Sequence, residues 1–376
     1  MRVVLVGTVS SSIFGFRKLL LQSLVKAGHD VYILTTDLTP EIQERALKEL
    51  GVHAVKYPLA RTGMNPITDL KNAWHLFRHL KKLNADCVFC YFSKPVIWGA
   101  FAARLAGIDH CYGMLEGLGY YFTEGPNGNG GKKTLVRIAQ VLLMRISLPL
   151  LRGLVVLNPD DKKDLVGKYR VRQKNVLVLG GIGLDLDEYA YFTPKAGVLR
   201  FIFVGRLLAE KGIKEYLKAA EIVKENYPSV QFVVLGMPDP GNPGSVDEEY
   251  LGELVNKGVI VYPGSVPNVV EWLKDSSVFV LPSYREGVPR STQEAMAVGR
   301  PVITTDVPGC RETIVDGENG FLVPPHNALS IVEAMKKFIV NQNLIIEMGK
   351  RSRELAEQKF NAEKVNQRLL DFLELT

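Results

Sequence analysis

One segment of the chain decides the fold and points to a site: Ser283-Tyr-Arg-Glu-Gly-Val-Pro-Arg-Ser-Thr-Gln-Glu-Ala-Met-Ala-Val-Gly-Arg-Pro-Val302. It follows an apolar run, residues 278–282, that predicts a buried strand. Glycine and proline predict a loop after this strand, and Ser291 or Thr292 can cap a helix that runs to about residue 298. A helix that begins beside the carboxyl end of a parallel strand is where open α/β sheets bind phosphates.

Two glutamates, Glu286 and Glu294, flank the predicted start of this helix. Because carboxylates repel phosphate, sugar hydroxyls are their natural partners: Glu294 can accept from a ribose diol, and Glu286 can hold hydroxyls of a transferred sugar. Backbone N–H groups at Arg290, Ser291 and Thr292, just after Pro289, can face a diphosphate. The segment therefore predicts a site for a sugar attached to a nucleotide diphosphate.

Two cations, Arg206 and Lys211, follow another predicted strand, residues 199–204. Loops after the strands of a parallel sheet face one crevice, so these cations are expected near the two glutamates. Arginine offers a planar fork to phosphate oxygens, and lysine adds a mobile point charge. Alone, both could be solvated surface residues. Together with the glutamate segment they favour a diphosphate site that needs no metal, and we expect no cofactor.

The chain of 376 residues alternates short apolar runs with helical patterns, which predicts parallel sheets in two domains. Strands are predicted at residues 3–7, 31–35, 52–57, 87–92, 154–157, 176–179, 199–204, 231–236, 259–262, 278–281 and 302–304. Helices are predicted at residues 16–27, 40–50, 66–83, 132–151, 212–227, 328–341 and 363–373. A glycine-rich loop, residues 125–131, interrupts the first series.

The predicted fold class is therefore α/β, with two doubly wound Rossmann-like domains that face each other across a cleft. The N-terminal domain is expected at residues 1–184, a linker at 185–198 and the C-terminal domain at 199–359. The last helix, within residues 360–376, is expected to pack back on the first domain. We expect acceptor binding in the first domain and donor binding in the second.

The charge is uneven, with 27 Lys and Arg against 16 Asp and Glu through Arg200, and 19 against 24 after it. A basic half suits nucleic acid, anionic lipid or a phosphorylated substrate, but no nucleic-acid-binding signature is found, so no nucleic acid is expected. We expect neither a transmembrane helix nor a signal peptide, and hence a cytoplasmic protein. The four cysteines are interpreted as buried free thiols, not as zinc ligands.

Residues 199–325 resemble the donor domain of the retaining glycosyltransferases of family 4, which have the two-domain GT-B fold. The matching stretches are Phe203-Val-Gly-Arg-Leu-Leu-Ala-Glu-Lys-Gly212, Val280-Leu-Pro-Ser-Tyr-Arg-Glu-Gly287, Glu294-Ala-Met-Ala-Val-Gly-Arg-Pro-Val302 and Asp316-Gly-Glu-Asn-Gly-Phe-Leu-Val323. The resemblance implies that Arg206 and Lys211 bind the donor diphosphate, that Glu294 binds the ribose and that Glu286 lies at the donor sugar. It places the base near residues 264–268, which include Val266.

The first half resembles members of this family that extend polyprenyl-diphosphate-linked sugars for O-antigens, capsules or N-linked glycans, often with N-acetylgalactosamine. The stretches are Ser12-Ile-Phe-Gly-Phe-Arg17 and Met114-Leu-Glu-Gly-Leu-Gly-Tyr-Tyr-Phe-Thr123. They make Gly15, Arg17 and Glu116 candidate acceptor-side residues. Glu116 could bind a substrate hydroxyl or pair with a cation such as Arg17, and the sequence does not decide between these.

Residues 132–152 are apolar and basic. A core helix with solvated ends is the favoured interpretation, and an interfacial helix that contacts anionic lipid is the alternative. The basic first half as a whole fits contact with the inner face of a cell membrane. Asp185-Leu-Asp187 lies in the linker and is not expected to bind metal, and His75 and His79 lack the intervening glutamate of a zinc helix.

We therefore expect a UDP-sugar donor, a lipid-linked saccharide acceptor and a hexose or N-acetylhexosamine as the transferred group. The resemblance implies same-face attack, with a donor phosphate oxygen taking the acceptor proton. A sugar-nucleotide epimerase or phosphorylase of the same architecture is one alternative. A membrane-bound scaffold or sugar-nucleotide sensor without enzymatic activity is another.

Overall fold

The computed structural model describes residues 1–59, 66–123, 125, 130–194, 197–242 and 244–376, and of Pro66 only the backbone. These residues form two compact units. The first contains Met1–Leu118, Gly130–Ile182 and Ala362–Thr376, and the second contains the described residues of Gly119–Asn129 and Gly183–Asn361. Most of the predicted glycine-rich loop, residues 125–131, lies outside the described residues.

Seven parallel strands form the sheet of the first unit. They are β1 (Arg2–Val6), β2 (Asp30–Thr35), β3 (His53–Lys56), β4 (Cys87–Tyr91), β5 (His110–Leu115), β6 (Gly153–Val156) and β7 (Val176–Val178). Their order across the sheet is β3-β2-β1-β4-β5-β6-β7. Every residue of β4 is buried, as expected of a parallel strand that is covered on both faces. The order reverses between β1 and β4, which is therefore the topological switch point of this sheet.

The helices of this unit alternate with its strands. They are α1 (Ser11–Phe14), α2 (Lys18–Lys26), α3 (Pro40–Leu50), α4 (Pro66–Lys82), α5 (Ser93–Leu105), α6 (Gly131–Ser147) and α7 (Pro159–Lys162). Helix α4 packs against α5, and α5 packs against α6. Because crossovers between parallel strands are right-handed, these three helices cover the same face of the sheet.

Helix α6 differs from its expected role as a core helix. Its inner side buries Val141, Met144 and Ser147. Its outer side exposes four large apolar side chains: Leu135, Ile138, Leu142 and Ile146. The favoured interpretation of a core helix is therefore wrong for half of its surface, because apolar residues continue around the helix beyond the side that packs. None of the helices in the described ranges is long and apolar enough to cross a bilayer.

Six parallel strands form the sheet of the second unit. They are β8 (Arg200–Val204), β9 (Gln231–Leu235), β10 (Val261–Gly264), β11 (Val278–Leu281), β12 (Val302–Thr305) and β13 (Gly320–Val323). Their order is β10-β9-β8-β11-β12-β13, so the switch point of this sheet lies between β8 and β11. The centre is aromatic: Phe201 of β8 stacks on Phe232 of β9, with ring centroids 5.6 Å apart.

The helices of the second unit are α8 (Ile213–Asn226), α9 (Glu248–Asn256), α10 (Val269–Lys274), α11 (Arg290–Ala297), α12 (Ala328–Val340) and α13 (Asn343–Lys359). The last helix of the chain, α14 (Ala362–Leu373), belongs to the first unit and packs against α2. Phe372 of this helix meets Tyr112 of β5 edge to face, with centroids 5.9 Å apart. The described residues thus form two Rossmann-like α/β units with parallel sheets, and this part of the predicted fold class is confirmed.

Candidate functional site

Two predicted site residues meet at the switch point of the second sheet. Lys211 ends a single 3₁₀ turn, Ala209–Lys211, after β8, and Glu286 lies in the loop after β11. Lys211 Nζ lies 2.6 Å from Glu286 Oε1, and their side chains are only 22% and 11% exposed. A half-buried ion pair at the carboxyl ends of these two strands occupies the crevice where open α/β sheets bind ligands.

Glycine allows the loop after β8 to approach the loop after β11. Gly212 has φ +72°, and a Cβ at this position would collide with the carbonyl oxygen of Pro282. The backbone N–H of Tyr284 also donates to the carbonyl of Glu210 at 2.9 Å. These contacts fix the loop that carries Lys211 against the loop that carries Glu286. The ion pair is therefore positioned by the backbone as well as by its two side chains.

The loop after β12 supports Glu286 from a third side. The backbone N–H of Glu286 donates to the carbonyl of Pro308 at 3.0 Å. The next residue, Gly309, has φ +79°, and a Cβ there would collide with the carbonyl oxygens of Glu286 and Gly287. Only glycine fits this close approach, so the position of the Glu286 loop depends on Gly309.

Helix α11 begins at Arg290, one or two residues before the predicted cap. Its N-cap is Pro289, without a side-chain cap, so the prediction that Ser291 or Thr292 caps the helix is wrong. The physical reason is that the proline ring fixes φ, and Pro289 has the extended geometry of an N-cap, with φ −66° and ψ +123°. Its carbonyl accepts the first hydrogen bond of the helix, from the N–H of Gln293 at 3.2 Å, so the helix begins before Ser291 and Thr292. The first-turn N–H groups, including those of Arg290 and Ser291, have no partner inside the helix and can face an anion.

Glu294 is held by two donors. Arg290 Nε donates to Glu294 Oε1 at 2.8 Å, and the hydroxyl of Tyr189 donates to the same oxygen at 3.0 Å. Burial raises the pKa of Tyr189, and the charge of Glu294 raises it further. Burial lowers the pKa of Arg290, but the Glu294 carboxylate more than offsets this, so the net pKa lies above the usual value. Tyr189 therefore stays neutral and Arg290 stays charged near neutral pH.

Arg206 and Val266 lie in loops after β8 and β10. The side chain of Arg206 is 60% exposed, and its ion-pair partner is Asp239, at 3.9 Å. No contact in the described part of the chain joins it to Lys211 or to either glutamate. Val266 is half-buried. The structure therefore brings Lys211 and Glu286 together, and Arg290 with Glu294, and leaves Arg206 as an exposed surface cation paired with Asp239.

A second polar cluster lies beside the ion pair and was missed by sequence reasoning. The hydroxyl of Tyr284 donates to Glu215 Oε1 at 2.7 Å, and the ring of His326 lies 3.8 Å from the ring of Tyr284, centroid to centroid. Burial raises the pKa of Tyr284, and the Glu215 hydrogen bond adds to the shift. The only sequence signal was the position of Tyr284 two residues before Glu286, because Glu215 and His326 come from distant parts of the chain.

The predicted acceptor-side residues lie near the carboxyl edge of the first sheet. Arg17 is buried and forms an ion pair with Glu116, so the pairing that the sequence left open is present in the structure. The Arg17 guanidinium also lies 4.3 Å from the ring centroid of Tyr91, at the end of β4. Gly15 ends helix α1, where its N–H donates to the carbonyl of Ser11 at 3.1 Å. These contacts make Arg17 a fixed, desolvated cation at this edge.

The Asp185-Leu-Asp187 sequence, which resembles a metal motif, has a structural role. Asp185 Oδ1 accepts the backbone N–H groups of Asp187 and Glu188, at 2.9 and 3.3 Å, as a local turn does. Within the described residues no group of three His, Cys, Asp or Glu side chains is placed to hold a metal ion. All four cysteines are free and buried, as predicted.

Two models of known protein families match the chain, one in each half. Residues 18–181 match the glycosyl transferase 4-like domain, and residues 193–357 match the glycosyl transferases group 1 domain. The chain therefore belongs to the glycosyltransferases, with a domain of this class in each half, and the predicted family and enzyme class are confirmed.

Two curated relatives resemble the chain over most of their length. The N,N'-diacetylbacillosaminyl-diphospho-undecaprenol alpha-1,3-N-acetylgalactosaminyltransferase of Campylobacter jejuni is 26% identical over 95% of this chain and 94% of its own. The UDP-Gal:alpha-D-GlcNAc-diphosphoundecaprenol alpha-1,3-galactosyltransferase of Escherichia coli is 27% identical over 84% and 81%.

Solved structures share the fold at lower identity. Sucrose-phosphate synthase from Thermosynechococcus elongatus superposes with a TM-score of 0.80 at 18% identity, over 100% of this chain and 98% of its own. Anabaena HepE, in complex with UDP and glucose, gives a TM-score of 0.76 at 15% identity, over 100% and 99%. The predicted GT-B fold is confirmed by this likeness.

Proposed function

We propose that the protein transfers a hexose or N-acetylhexosamine from a UDP-sugar to a sugar carried on undecaprenyl diphosphate, with retention of the anomeric configuration. The product would serve the synthesis of a cell-surface polysaccharide or glycan. The observation that carries the proposal is the Lys211–Glu286 ion pair at the switch point of the second sheet. The two relatives support the acceptor class, since both are named for a diphospho-undecaprenol sugar.

The ion pair suits a donor diphosphate and its sugar. A lysine ammonium has three donors, and Glu286 takes one of them from Lys211, so the others can reach phosphate oxygens. Glu286, which is acceptor only when ionised, can accept from sugar hydroxyls of the donor. Lys211 and the first-turn N–H groups of α11 would oppose the charge that develops on the departing UDP. This is stabilisation of the transition state, which raises the rate of transfer.

Glu294 suits the ribose of the donor. Arg290 and Tyr189 bind one carboxylate oxygen, Oε1, and among the described residues no hydrogen bond reaches Oε2. The side chain is 12% exposed, so a small part of it reaches solvent. An oriented carboxylate with a free oxygen is a suitable acceptor for a ribose hydroxyl. Arg206, which is exposed, would complete the phosphate contacts when the donor binds, and Val266 would lie near the base.

The stereochemical proposal rests on the names of the relatives and on sugar chemistry. Both names specify an alpha-1,3 linkage, and one names UDP-Gal as donor. UDP-hexoses carry the sugar in the alpha configuration, so an alpha product corresponds to retention. By analogy with the family, we propose same-face attack with a donor phosphate oxygen as proton acceptor.

The first unit is proposed to bind the lipid-linked acceptor. Its buried Arg17, fixed by Glu116 and Tyr91, is a desolvated cation that can attract a diphosphate with little loss of side-chain entropy. The basic composition of this half supports the same assignment. An acceptor with an undecaprenyl chain is anchored in a bilayer, so we propose that the protein works at the inner face of the cell membrane.

The proposal is tested with the full chain, a set of UDP- and GDP-sugars, and undecaprenyl-diphosphate sugars as acceptors. We expect one UDP-sugar to give a lipid-linked product whose new linkage is alpha by NMR. Lys211→Ala should lower the rate about 10²–10³-fold, as the loss of one oxyanion-type contact does. Lys214→Ala, an exposed lysine on the neighbouring helix, is the control and should leave the rate unchanged. Full activity of the Lys211 variant would refute the donor site.

A further inference from the structure

The outer side of α6 is an apolar stripe. Leu135, Ile138, Leu142 and Ile146 are between 51% and 68% exposed. Their spacing of three, four and four residues places them along one side of the helix, opposite the buried Met144. The outer side of an ordinary surface helix is polar, because water covers it. This stripe is therefore expected to have a partner that is apolar.

Helix α4 carries a second exposed apolar stripe. Ile67, Leu70 and Trp74 are 70%, 65% and 56% exposed, and their spacing again places them on one side. The ring of Trp74 lies 4.9 Å from that of Phe77, centroid to centroid, which continues the stripe by one turn. Tryptophan and other aromatic side chains are typical of membrane–water interfaces, where one end is apolar and the other is wet.

The two stripes belong to one layer of the first unit. Helix α5 lies between α4 and α6, and all three cover the same face of the sheet, so their outer sides face the same way. The outer residues of α5 are also apolar: Trp98 and Phe101 are half-buried, with ring centroids 5.8 Å apart, and Leu105 is exposed. The outer sides of α4, α5 and α6 together form what we name the α4–α6 surface.

Basic residues accompany this surface, and acidic ones are almost absent from its two outer helices. Helix α6 has no Asp or Glu; its exposed Lys132 and Arg145 flank the apolar stripe, whereas Lys133 and Arg137 lie toward the side of the buried Met144. Helix α4 contains Lys71, Arg78, Lys81 and Lys82, and its single acid, Asp69, is buried and accepts from Lys94 at 3.0 Å. An apolar stripe with basic borders is the pattern of helices that lie in the interface of an anionic bilayer.

We propose that the α4–α6 surface docks the protein on an anionic lipid bilayer, with α4 and α6 lying in the interface and their basic residues at the level of the lipid phosphates. The inference deepens the proposed function, on which it rests for the source of the bilayer: the lipid-linked acceptor is anchored there. A second copy of the chain is disfavoured as the occupant, because two such surfaces would place like charges against each other.

The experiment measures co-sedimentation of the full chain with vesicles of phosphatidylcholine, alone or mixed with phosphatidylglycerol. We expect binding to the anionic vesicles that weakens with salt. Ile138→Ser with Leu142→Ser should weaken binding about tenfold, since two exposed apolar side chains no longer insert. Arg78→Gln with Lys81→Gln should weaken it about 25-fold on anionic vesicles, about fivefold for each charge.

Matched controls lie in the second unit. Leu329→Ser with Val340→Ser removes two exposed apolar residues of α12, and Lys214→Gln with Lys350→Gln removes two exposed lysines. Both should bind vesicles as the unmodified chain does. All substituted residues are exposed or near the surface, and an unchanged melting temperature would verify folding.

Two results would overturn the proposal: no binding of the unmodified chain to anionic vesicles, or the same loss in the control variants. A dimer that the α4–α6 variants convert to monomer, with vesicle binding unchanged, would assign the surface to a second copy instead. Sugar transfer to a water-soluble acceptor with a short prenyl chain tests the proposed function without a bilayer, so it distinguishes a failure of docking from a failure of transfer. If vesicles bind but no sugar is transferred to any acceptor, the docking surface stands and the proposed function fails.

Discussion

The hydroxyl of Tyr189 donates a hydrogen bond to Glu294 Oε1 at 3.0 Å, and the two residues are 105 positions apart in the chain. Tyr189 precedes the second sheet, whereas Glu294 lies in α11, so the bond ties the segment before β8 to the candidate ribose site. The second donor to this oxygen, Arg290, comes from one turn earlier in the same helix. Two donors from different directions give the carboxylate one orientation, with Oε2 left for a ligand.

The first prediction concerns this hydrogen bond. Tyr189→Phe removes the hydroxyl and keeps the ring, so Glu294 loses one of its two orienting donors. We expect the KM for the UDP-sugar to rise about tenfold, as the loss of a hydrogen bond to a charged group does, with little change in kcat. Steady-state kinetics at varied donor concentration measures both parameters.

The matched control for this variant is Tyr250→Phe. Burial raises the pKa of Tyr250, and the charge of the Glu221 carboxylate raises it further, but this pair lies on α9 and α8, away from the switch point. It should leave KM unchanged. Equal KM values for the Tyr189 variant and the unmodified chain would mean that Tyr189 does not position Glu294 for the donor.

The sequence predicted the bounds of a helix or strand correctly where residues that begin and end the element are present at both ends. Helix α3 has the predicted bounds, 40–50, because Thr39 accepts the N–H of Ile42, Pro40 begins the helix and Gly51 ends it with φ +68°. Strand β11 also has its predicted bounds, since its four residues are apolar and bounded by polar and proline residues. By contrast, residues 93–105 were not predicted as helix α5. Their apolar residues lie on all sides of the helix, so the sequence shows no repeat of apolar and polar residues every three to four positions.

Contacts between distant segments could not be predicted. The sequence placed Lys211, Glu286, Arg290 and Glu294 near one crevice, because carboxyl ends of parallel strands share an edge. It could not show that Arg206 would be exposed or that Tyr189 would reach Glu294, since both depend on loop paths. The outer side of α6 was misjudged for a related reason: hydrophobicity alone does not tell which side of a helix finds a partner.

The second prediction concerns divalent cations. Because Lys211 and the N–H groups of α11 supply positive charge for the donor diphosphate, we expect the rate of transfer to be unchanged in EDTA. Added Mg²⁺ or Mn²⁺ should not raise it. The measurement is UDP release from protein that was dialysed against chelator. A rate that falls in EDTA and returns with Mn²⁺ would show that Lys211 and the N–H groups of α11 are not sufficient to stabilise the diphosphate.

The third prediction concerns the thiols. All four cysteines are buried, and burial raises the pKa of Cys87 and that of Cys310 to about 12. Because the thiolate is the reactive species, a disulfide reagent at about pH 8 should not modify the folded protein. After unfolding in guanidinium, all four thiols should react, which serves as the control. Rapid reaction of even one thiol in the folded state would contradict its burial.

The fourth prediction separates two effects of adding a Cβ at a left-handed glycine. Gly309 has φ +79° and Gly317 has φ +80°, so alanine costs about 1–2 kcal/mol in backbone strain at either position. At Gly317 nothing lies within 4 Å of the added Cβ, whereas at Gly309 it collides with the carbonyl oxygens of Glu286 and Gly287. Gly317→Ala should therefore show only the strain, as a small loss in the free energy of unfolding with full activity.

Gly309→Ala must in addition push the Glu286 loop away, because a carbonyl oxygen cannot yield as the end of a flexible side chain does. We expect a larger loss of stability, about 3 kcal/mol or more, and a fall in transfer rate even at temperatures where the variant is folded. Urea unfolding and initial rates measure the two quantities on the same preparations. If the two variants lose equal stability and both keep full activity, the loop does not depend on Gly309, and Glu286 is not held at the switch point in the way the structure indicates.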